Sequence, residues 1–573
     1  MNTIIKPVSK RKLSTVDFII FCAIASLLYL ILNKGNGTNV EVTGAKISTD
    51  LNNLPYYALL STLRMAAAYA LSFIFTLIYG SIAAHNDKAA KVMIPLLDIL
   101  QSIPVLSFLP AVVIGLISIF PNSNVGLELA SIILIFTGQV WNMTFSFYYS
   151  IKGVPKDLIE AAHIFQLNKW EQFKTVELPS AAIGLVWNSM MSWAGGWFFL
   201  MACEMFTMEG KDFRLKGLGS FLQTAANEGN TKALWWGIIT LVLVIVLMDR
   251  IIWRPIISWS EKFKIESTGT GEEHKSYFLM FLRRSLIIQF LEEKVIHPVI
   301  KFLGILIDKI ALFFLKRSEN RNKKTSKIIG VAVKTFFLII LVYYGFNALK
   351  LVLKVSNKDL KRIPLSVFYS FLRVTVAQVI SLAWTLPVGV AIGMNKKTAK
   401  IFQPIIQVIA SIPATALFPV ILSVIIKKSG GLGFASVLLM LMGTQWYLLF
   451  NIIAGAMAIP EDLINAADIL GLKGLKRWKV LILPSIFPYL LTGMITATGG
   501  CWNASIVSEY VHFSGKTVKT IGLGALISEA TETGNYPLLL LSTIIMCLVV
   551  VGINNSLWKR LYRISEEKFR LDI

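Results

Sequence analysis

Residues 154–180 read VPKDLIEAAHIFQLNKWEQFKTVELPS, and residues 459–485 read IPEDLINAADILGLKGLKRWKVLILPS. The two stretches are one loop written twice, since Pro155 and Pro179 recur as Pro460 and Pro484 at a single offset of 305 residues. Both copies are polar and basic, and long apolar segments flank both of them. A polar loop kept in duplicate between apolar segments predicts two docking surfaces for a partner with two equivalent sites.

The composition indicates a membrane protein that crosses the bilayer many times. Of its 573 residues, 55% are hydrophobic and only 16% are charged, whereas soluble domains carry about 25% charged residues. About a dozen apolar runs approach the roughly 20 residues that a helix needs to cross a bilayer. The net charge of +23 comes from Lys and Arg gathered in short loops on one side, which is the positive-inside pattern. We therefore expect the lipid bilayer, and no nucleic acid, as a partner.

The apolar runs predict two sets of six spans. They lie near 17–33, 58–84, 96–120, 127–150, 181–203 and 234–253, and again near 328–353, 365–393, 402–426, 432–457, 485–507 and 538–557. The repeat extends beyond the loop, because Arg64 and Glu204 recur as Arg373 and Glu509. The predicted fold is an all-α polytopic membrane protein, a tandem duplication of a six-span unit with about 12 transmembrane helices.

The predicted division of the chain follows from this duplication. The first unit covers residues 1–253, an amphipathic linker at the cytoplasmic face or membrane interface covers 254–327, and the second unit covers 328–573. Six spans are an even number, so both units have the same orientation. A basic N-terminus then places both chain termini in the cytoplasm.

Each loop carries the local signals of a helix, a turn and a second helix. Pro155 suits the start of a helix and Asp157 complements its positive end, while a pair of alanines would let another protein approach the backbone. Gly471 permits a left-handed turn, and Gln166 stands at the matched position of the first copy. The candidate docking residues are Pro155, Asp157, Glu160, Ala161, Ala162, Gln166 and Pro179, with Pro460, Asp462, Asn465, Ala466, Ala467, Gly471 and Pro484 in the second copy.

With its two alanines and its closing Leu-Pro, this loop resembles the coupling loop of the permeases of ATP-binding-cassette importers. The stretches SIPVLSFLP and SIPATALFP, and GLGSFL and GLGALI, resemble the nitrate/sulfonate/taurine (bicarbonate) type of permease, in the branch that fuses two permease units in one chain. Two positions depart from that pattern: Gln166 replaces a glycine and Asn465 replaces a glutamate. These departures leave open whether the two halves couple equally.

The resemblance implies a type I importer fold in a bacterial plasma (inner) membrane. It implies two cytoplasmic ABC ATPase subunits on the two loops, an extracytoplasmic substrate-binding protein, and a small anion such as nitrate, sulfonate, taurine or bicarbonate as substrate. It also implies that ATP and Mg²⁺ are bound by the partner ATPase.

The chain itself lacks the sequence of an ATPase. A P-loop needs a glycine five residues before its Gly-Lys-Thr, and Tyr510 stands there instead of glycine. The cysteines, Cys22, Cys203, Cys501 and Cys547, lie in apolar segments without metal-ligand spacing. We therefore expect a transport subunit that is not an enzyme, with no catalytic residue, cofactor or metal site of its own.

A second group of candidates lies inside the spans. Prolines there either line a pore or kink a helix, and both interpretations stay open. Ionisable groups at membrane depth are functional candidates, but Arg–Glu pairs that lock helices together are favoured. For the tryptophans, packing between helices is favoured over lining a pathway. The group comprises Pro104, Pro110, Pro413, Pro419, Arg64, Arg373, Glu204, Glu509, Trp197 and Trp502.

Two other functions compete with the permease. A secondary transporter can be built from two parallel six-helix repeats, but it needs carboxylates in its spans to bind coupling ions, and such residues are nearly absent here. A receptor or scaffold would not need the same proline-containing spans twice.

Overall fold

The computed structural model describes residues 46–120, 123–208, 211–263, 335, 339, 342–410, 412–425, 431–513, 516–558, 560–561 and 563–564. The span expected near 17–33 and nearly all of the expected linker lie outside the described residues. Of the span expected near 328–353, residues 342–352 are described as helix.

The first unit consists of long helices joined by short segments. Its elements are α1 (Leu54–His85), α2 (Asp87–Ser102), α3 (Leu109–Ile119), α4 (Val125–Lys152), α5 (Lys156–Ile164), α6 (Lys169–Gln172), α7 (Leu178–Glu204), β1 (Met205–Met208), β2 (Lys211–Arg214), α8 (Leu218–Asn227), α9 (Thr231–Met248) and α10 (Arg254–Ser260).

The second unit repeats this order. Its elements are α11 (Asn357–Gly393), α12 (Lys396–Ala410), α13 (Ala414–Ile425), α14 (Gly431–Met457), α15 (Glu461–Ile469), α16 (Gly474–Arg477), α17 (Leu483–Ser508), β3 (Tyr510–Phe513), β4 (Lys516–Lys519), α18 (Leu523–Glu532) and α19 (Tyr536–Ile553). Within the described residues, seven helical stretches are long and apolar enough to cross a membrane. The prediction of a duplicated helical membrane protein is confirmed.

Two small hairpins add strand structure to the helical fold. In each unit an antiparallel pair of four-residue strands, β1–β2 and β3–β4, directly follows the glutamate that closes the fifth span. The loop Leu215–Gly217 or Thr520–Gly522 then leads into α8 or α18, which packs back against the fifth-span helix α7 or α17. Each hairpin therefore returns the chain to the end of that helix.

The spans expected near 96–120 and 402–426 are not continuous helices. The chain breaks between α2 and α3, where Ile103 has the extended angles φ −81° and ψ 124°, and again between α12 and α13 at Pro413. Because a residue that precedes proline is driven out of the helical region, Pro104 and Pro413 end the preceding helices. The single-helix prediction for these two spans was wrong.

Each broken span packs partly against helices of the other unit. Residues of α3 and the break before it share one hydrophobic core with α17, α18 and α19 of the second unit. In return, Ala416 of α13 is buried in a core built from first-unit helices. The two units thus pack into one body through their broken spans.

Four π-helical turns occur at matched positions. Phe173–Glu177 matches Trp478–Ile482, and Asp249–Trp253 matches Asn554–Trp558. The first pair joins the duplicated loop to the fifth span, and the second pair lies near the end of the sixth. Because π-turns are often found at functional sites, the matched pair at the loop junction indicates a functional role for that junction.

Candidate functional site

The duplicated loop folds as a short helix, a tight turn and a second helix in both copies. After α5, Leu167 N–H donates to the carbonyl of Ala162 at 3.1 Å, and Gln166 N–H donates to that of His163 at 3.0 Å. This is the Schellman pattern, which needs a left-handed residue after the helix. Gln166 supplies it with φ 54°, so the first copy turns sharply without glycine.

The second copy makes the same turn at Gly471, with φ 63°. Leu472 N–H donates to the carbonyl of Ala467 at 2.9 Å, which repeats the bond of the first copy. Gln166 therefore makes the same left-handed turn as Gly471, although it is not a glycine. A non-glycine residue in this region carries a strain of roughly 1 kcal/mol, and the first copy retains that strain.

The two neighbouring alanines of each loop differ in their exposure to solvent. Ala162 and Ala467 are buried, whereas Ala466 is exposed and Ala161 is half-buried. The interpretation that both alanines of a pair face a partner was wrong for the second of each pair. Ala467 lies in a hydrophobic core with Ile452 of α14 and Ile482 of the π-turn, so its small side chain serves the packing of the loop onto its own unit.

The residues that face outward at the tip of each loop are apolar. Ile164 and Phe165 are 79% and 77% exposed, and the matched Ile469 and Leu470 are 86% and 73% exposed. A large apolar side chain held out at a turn is unusual unless it marks an interaction surface. We call these four residues the loop tips.

Each loop is joined without a break to a fifth-span helix. Pro155 and Pro460 cap the first helix, and Asp157 and Asp462 lie in its first turn as expected. The second helix continues through the π-turn into α7 or α17, so that Pro179 and Pro484 lie in the first turn of these spans. The second helix predicted for each loop is thus continuous with a span.

The two loops differ in charge. Glu160 of α5 is matched by Asn465 of α15, and both are exposed. His163 is matched by Asp468, which forms an ion pair of 2.6 Å with Arg477 of the following helix. The copies therefore share a shape and differ in surface electrostatics.

The end of the first unit that carries the loop has ion pairs that the matched positions of the second unit do not repeat. His85 Nε2 lies 2.9 Å from the buried carboxylate of Glu177, whose counterpart in the second unit is the apolar Ile482. Lys152 Nζ lies 2.9 Å from Asp87, and its hydrogen bond holds the pKa of that carboxyl below its usual range. In the first unit these contacts tie α1 to the loop junction and α4 to α2.

The far end of α7 holds a buried charged cluster. Glu204 is fully buried and accepts hydrogen bonds from Arg64 Nη1 at 2.7 Å, Ser61 Oγ at 2.6 Å and Gly219 N–H at 2.6 Å. Glu128 at the start of α4 accepts hydrogen bonds from the other edge of Arg64, with Oε2 2.5 Å from Nε and Oε1 2.7 Å from Nη2. We call this the first outer cluster, where outer means only the end of α7 away from the loop.

The second outer cluster repeats most of this arrangement. Glu509 accepts from Arg373 Nη1 at 2.9 Å and from Ser370 Oγ at 2.7 Å. Arg373 also donates to the carbonyl of Ile521 at 2.8 Å and to Thr520 Oγ1 at 2.9 Å. The structure thus brings together the Arg and Glu that the sequence had paired in each half.

The repeated Gly-Leu-Gly sequence is explained by these clusters. A Cβ added at Gly217 would stand 2.3 Å from the Glu204 carboxylate, and one at Gly522 would stand 2.0 Å from that of Glu509. Only glycine lets the backbone come this close. The approach allows backbone N–H groups at the start of α8 and α18 to donate to the carboxylate, as Gly219 does.

The candidate pathway prolines fall in three different settings. Pro104 and Pro413 lie in the breaks, Pro110 lies in the first turn of α3, and only Pro419 lies inside a helix. The expectation of four intrahelical prolines is thereby corrected.

The breaks face the opposite unit. The N–H of Leu106 donates to Asn503 Oδ1 of α17 at 3.4 Å, and Thr543 Oγ1 of α19 donates to the carbonyl of Ser107 at 3.3 Å. Elsewhere between the units, Gln407 Nε2 of α12 donates to the buried Asp249 at 2.9 Å. Polar contacts across the units are therefore concentrated on the broken spans.

The two candidate tryptophans are fully buried. Trp197 lies in the core of the first unit and Trp502 in the core that both units share. Neither indole N–H has a partner among the described residues. Their positions agree with packing between helices.

Comparison with known proteins places the chain. The family described as the inner membrane component of binding-protein-dependent transport systems matches residues 76–252 and 385–571. The two matches together cover more than half of the chain and fall one in each unit. The chain belongs to this family.

Individual permeases show the same relationship. The chain is 26% identical over 200 residues to the nitrate import permease protein NrtB of Synechocystis sp., covering 35% of this chain and 67% of the relative. It is 29% identical over 179 residues to the bicarbonate transport system permease protein CmpB of Synechococcus elongatus, covering 31% and 59%. It is 23% identical over 515 residues to the trimethylamine N-oxide transport system permease protein TmoV of Pelagibacter ubique, covering 81% and 65%. The chain thus spans about three fifths to two thirds of each relative, and it is a multi-pass membrane permease of this family.

Sequence reasoning missed Glu128 of the permease's outer clusters, as well as the hydroxyl residues Ser61, Ser370 and Thr520. Glu128 is aligned with Gly433 in the second unit, so the repeat gives no signal for it. Its position in the first turn of an apolar span would have singled it out, because a carboxylate there needs a partner.

Proposed function

We propose that this permease forms the translocation pathway of an ATP-binding-cassette importer and that its two loops dock two cytoplasmic ATPase subunits. The observation that carries the proposal is the duplicated loop tip, an apolar pair held out by a sharp turn in each unit. Apolar side chains that lie together and exposed on a polar loop are a feature of interaction surfaces, and two matched pairs suit a partner with two matched clefts.

The connection between each loop and its span supports a mechanical role. The helix that follows the first loop turn runs through a π-turn into α7, which has 27 residues and is therefore about 40 Å long. Its far end is Glu204, held by Arg64. A displacement of the loop by an ATPase subunit would thus reach the outer cluster through one continuous helix, and α17 repeats the arrangement.

The path itself lies between the units in this proposal. The breaks at Pro104 and Pro413 free backbone groups that a continuous helix would use, which is tolerated where the backbone borders protein or a wet cavity. Backbone amides and hydroxyls along the broken spans would contact the substrate there. An external binding protein would deliver the substrate at the hairpin face and supply most of the selectivity.

The relatives' names bear on the substrate. Nitrate and bicarbonate are small planar oxyanions, and trimethylamine N-oxide presents an oxygen of high negative charge. We infer a small substrate with exposed negative oxygens, of the nitrate or bicarbonate class.

The orientation follows from the docking role. If the loops meet a cytoplasmic ATPase, the hairpins and outer clusters face outside, and both termini lie in the cytoplasm. The unit boundaries 1–253 and 328–573, with the linker 254–327, belong to the same proposal.

The test replaces one residue of each loop tip. In Phe165→Asp with Leu470→Asp, a charge replaces the apolar group that would enter the ATPase cleft, and we expect both ATPase copurification and uptake to be lost. Glu461→Gln, an exposed change on α15, is the matched control and should retain both. Copurification and uptake in the double variant at the level of the control would show that the loop tips do not dock the ATPase.

A further inference from the structure

The two outer clusters differ at one edge of their arginines. In the first cluster, the Nε–Nη2 edge of Arg64 is occupied by both oxygens of Glu128. In the second, Gly433 replaces that glutamate, and Arg373 Nε makes no hydrogen bond to any of the described residues. The position beside the arginine thus holds a carboxylate in the first unit and a glycine in the second.

Space is available at this position of the second unit. Among the described residues, the atoms nearest to a Cβ added at Gly433 would be Nε and Nη2 of Arg373, both at 3.7 Å, and Thr520 Oγ1 at 3.8 Å. The Arg373 side chain is 11% exposed, compared with 4% for Arg64. Arg373 is thus covered less than Arg64, while its Nη1 is bound to Glu509.

The carboxylate of Glu128 shows which chemistry fits. It is a planar group whose two oxygens meet two parallel N–H donors, and an arginine fork selects this geometry. Nitrate and bicarbonate present the same planar pair of oxygens. Thr520 Oγ1, which lies 2.9 Å from Nη2, adds a hydroxyl donor that the matched residue of the first unit, Leu215, lacks.

We propose that the Nε–Nη2 edge of Arg373, together with Thr520 and the space at Gly433, is an outer binding site for a planar oxyanion. Glu128 fills the corresponding site of the first unit with a tethered carboxylate. Of these two matched positions, only that of the second unit is then open to an oxyanion. The substrate class rests on the proposed function, and the site rests on the comparison of the two clusters.

The test gives the second unit the glutamate of the first. Gly433→Glu should fold, because it recreates the Arg64–Glu128 contact, and it should raise the KM for nitrate or bicarbonate uptake by at least about tenfold, the worth of one charge-assisted contact. Gly433→Gln has the same size without the charge and should raise the KM less. Uptake is measured in proteoliposomes that hold the permease with its ATPase and binding protein.

A second readout needs no transport. Nitrate should raise the melting temperature of the purified wild-type chain, and Gly433→Glu should remove this rise. Glu128→Gly, which copies Gly433 of the second unit and uncovers Arg64, should enlarge it. Equal responses in wild type and Gly433→Glu would overturn the site. If wild type takes up neither anion although nitrate stabilises it, the proposed substrate class fails while the site stands.

Discussion

Replacing the buried glutamate by glutamine should have different effects on stability in the two outer clusters. Glu509→Gln removes the one carboxylate that Arg373 contacts among the described residues, and a buried charge left without its partner costs about 3–5 kcal/mol. Glu204→Gln leaves Arg64 bound at its other edge by Glu128, so the loss is limited to hydrogen bonds to a charged group, about 1.5–3 kcal/mol. We expect Glu509→Gln to destabilise the protein more, although both glutamates are fully buried.

The assay is the free energy of unfolding of the purified chain in lipid bicelles. A double-mutant cycle completes it: Arg373→Met combined with Glu509→Gln should recover much of the loss, because no lone charge remains. A loss from Glu204→Gln that equals or exceeds that from Glu509→Gln would refute the role assigned to Glu128. Strictly additive effects in the cycle would show that Arg373 and Glu509 do not lock the helices.

Two further substitutions test local geometry. Gly217→Ala places a Cβ 2.3 Å from the Glu204 carboxylate and should cost about 1–3 kcal/mol of unfolding free energy by overpacking. Gly552→Ala, with no atom within 4 Å of the added Cβ, is the control, and equal effects would contradict the close approach. Gln166→Gly relieves a left-handed residue and should change stability by roughly 0–1 kcal/mol in the favourable direction. The reciprocal Gly471→Gln should be unfavourable, and a melting temperature that moves the other way in either variant would show that the turn is not strained.

The sequence was sufficient for the parts of this permease that the repeat marks. The loops, the paired Arg and Glu and the Gly-Leu-Gly sequences recur at fixed offsets, because each is needed by a local geometry that both units share. The reason for Gly217 became clear only from the structure, since the carboxylate that approaches it comes from the preceding helix.

Other features could not be read from a repeat or a periodicity. Glu128 has no counterpart, and the position of the broken spans depends on packing between units. The strands of the hairpins have four residues each, which is too few for an alternating pattern to stand out. The helix breaks are a different case, because Pro104 disfavours the helical conformation at Ile103. The sequence therefore contained this signal, but the spans were predicted from hydrophobicity alone.

The burial of Ala162 illustrates a limit of local reasoning. Small residues on a surface helix suggest close approach by a partner, but the same residues serve equally well where the chain folds back on itself. In this permease Ala467 packs into a core with residues of α14 and the π-turn, and the neighbouring loop tip is exposed instead.

The central claim is that both loop tips contact an ATPase at the cytoplasmic face. The most direct measurement carries a cysteine-linked photo-cross-linker at position 165 or 470 of the full chain, in membrane vesicles of known sidedness that contain the assembled transporter. The account predicts that each position cross-links to an ATPase subunit, and that a membrane-impermeant thiol reagent reaches either cysteine only from the cytoplasmic side. Labelling from the outside, or absence of an ATPase adduct at both positions, would contradict it.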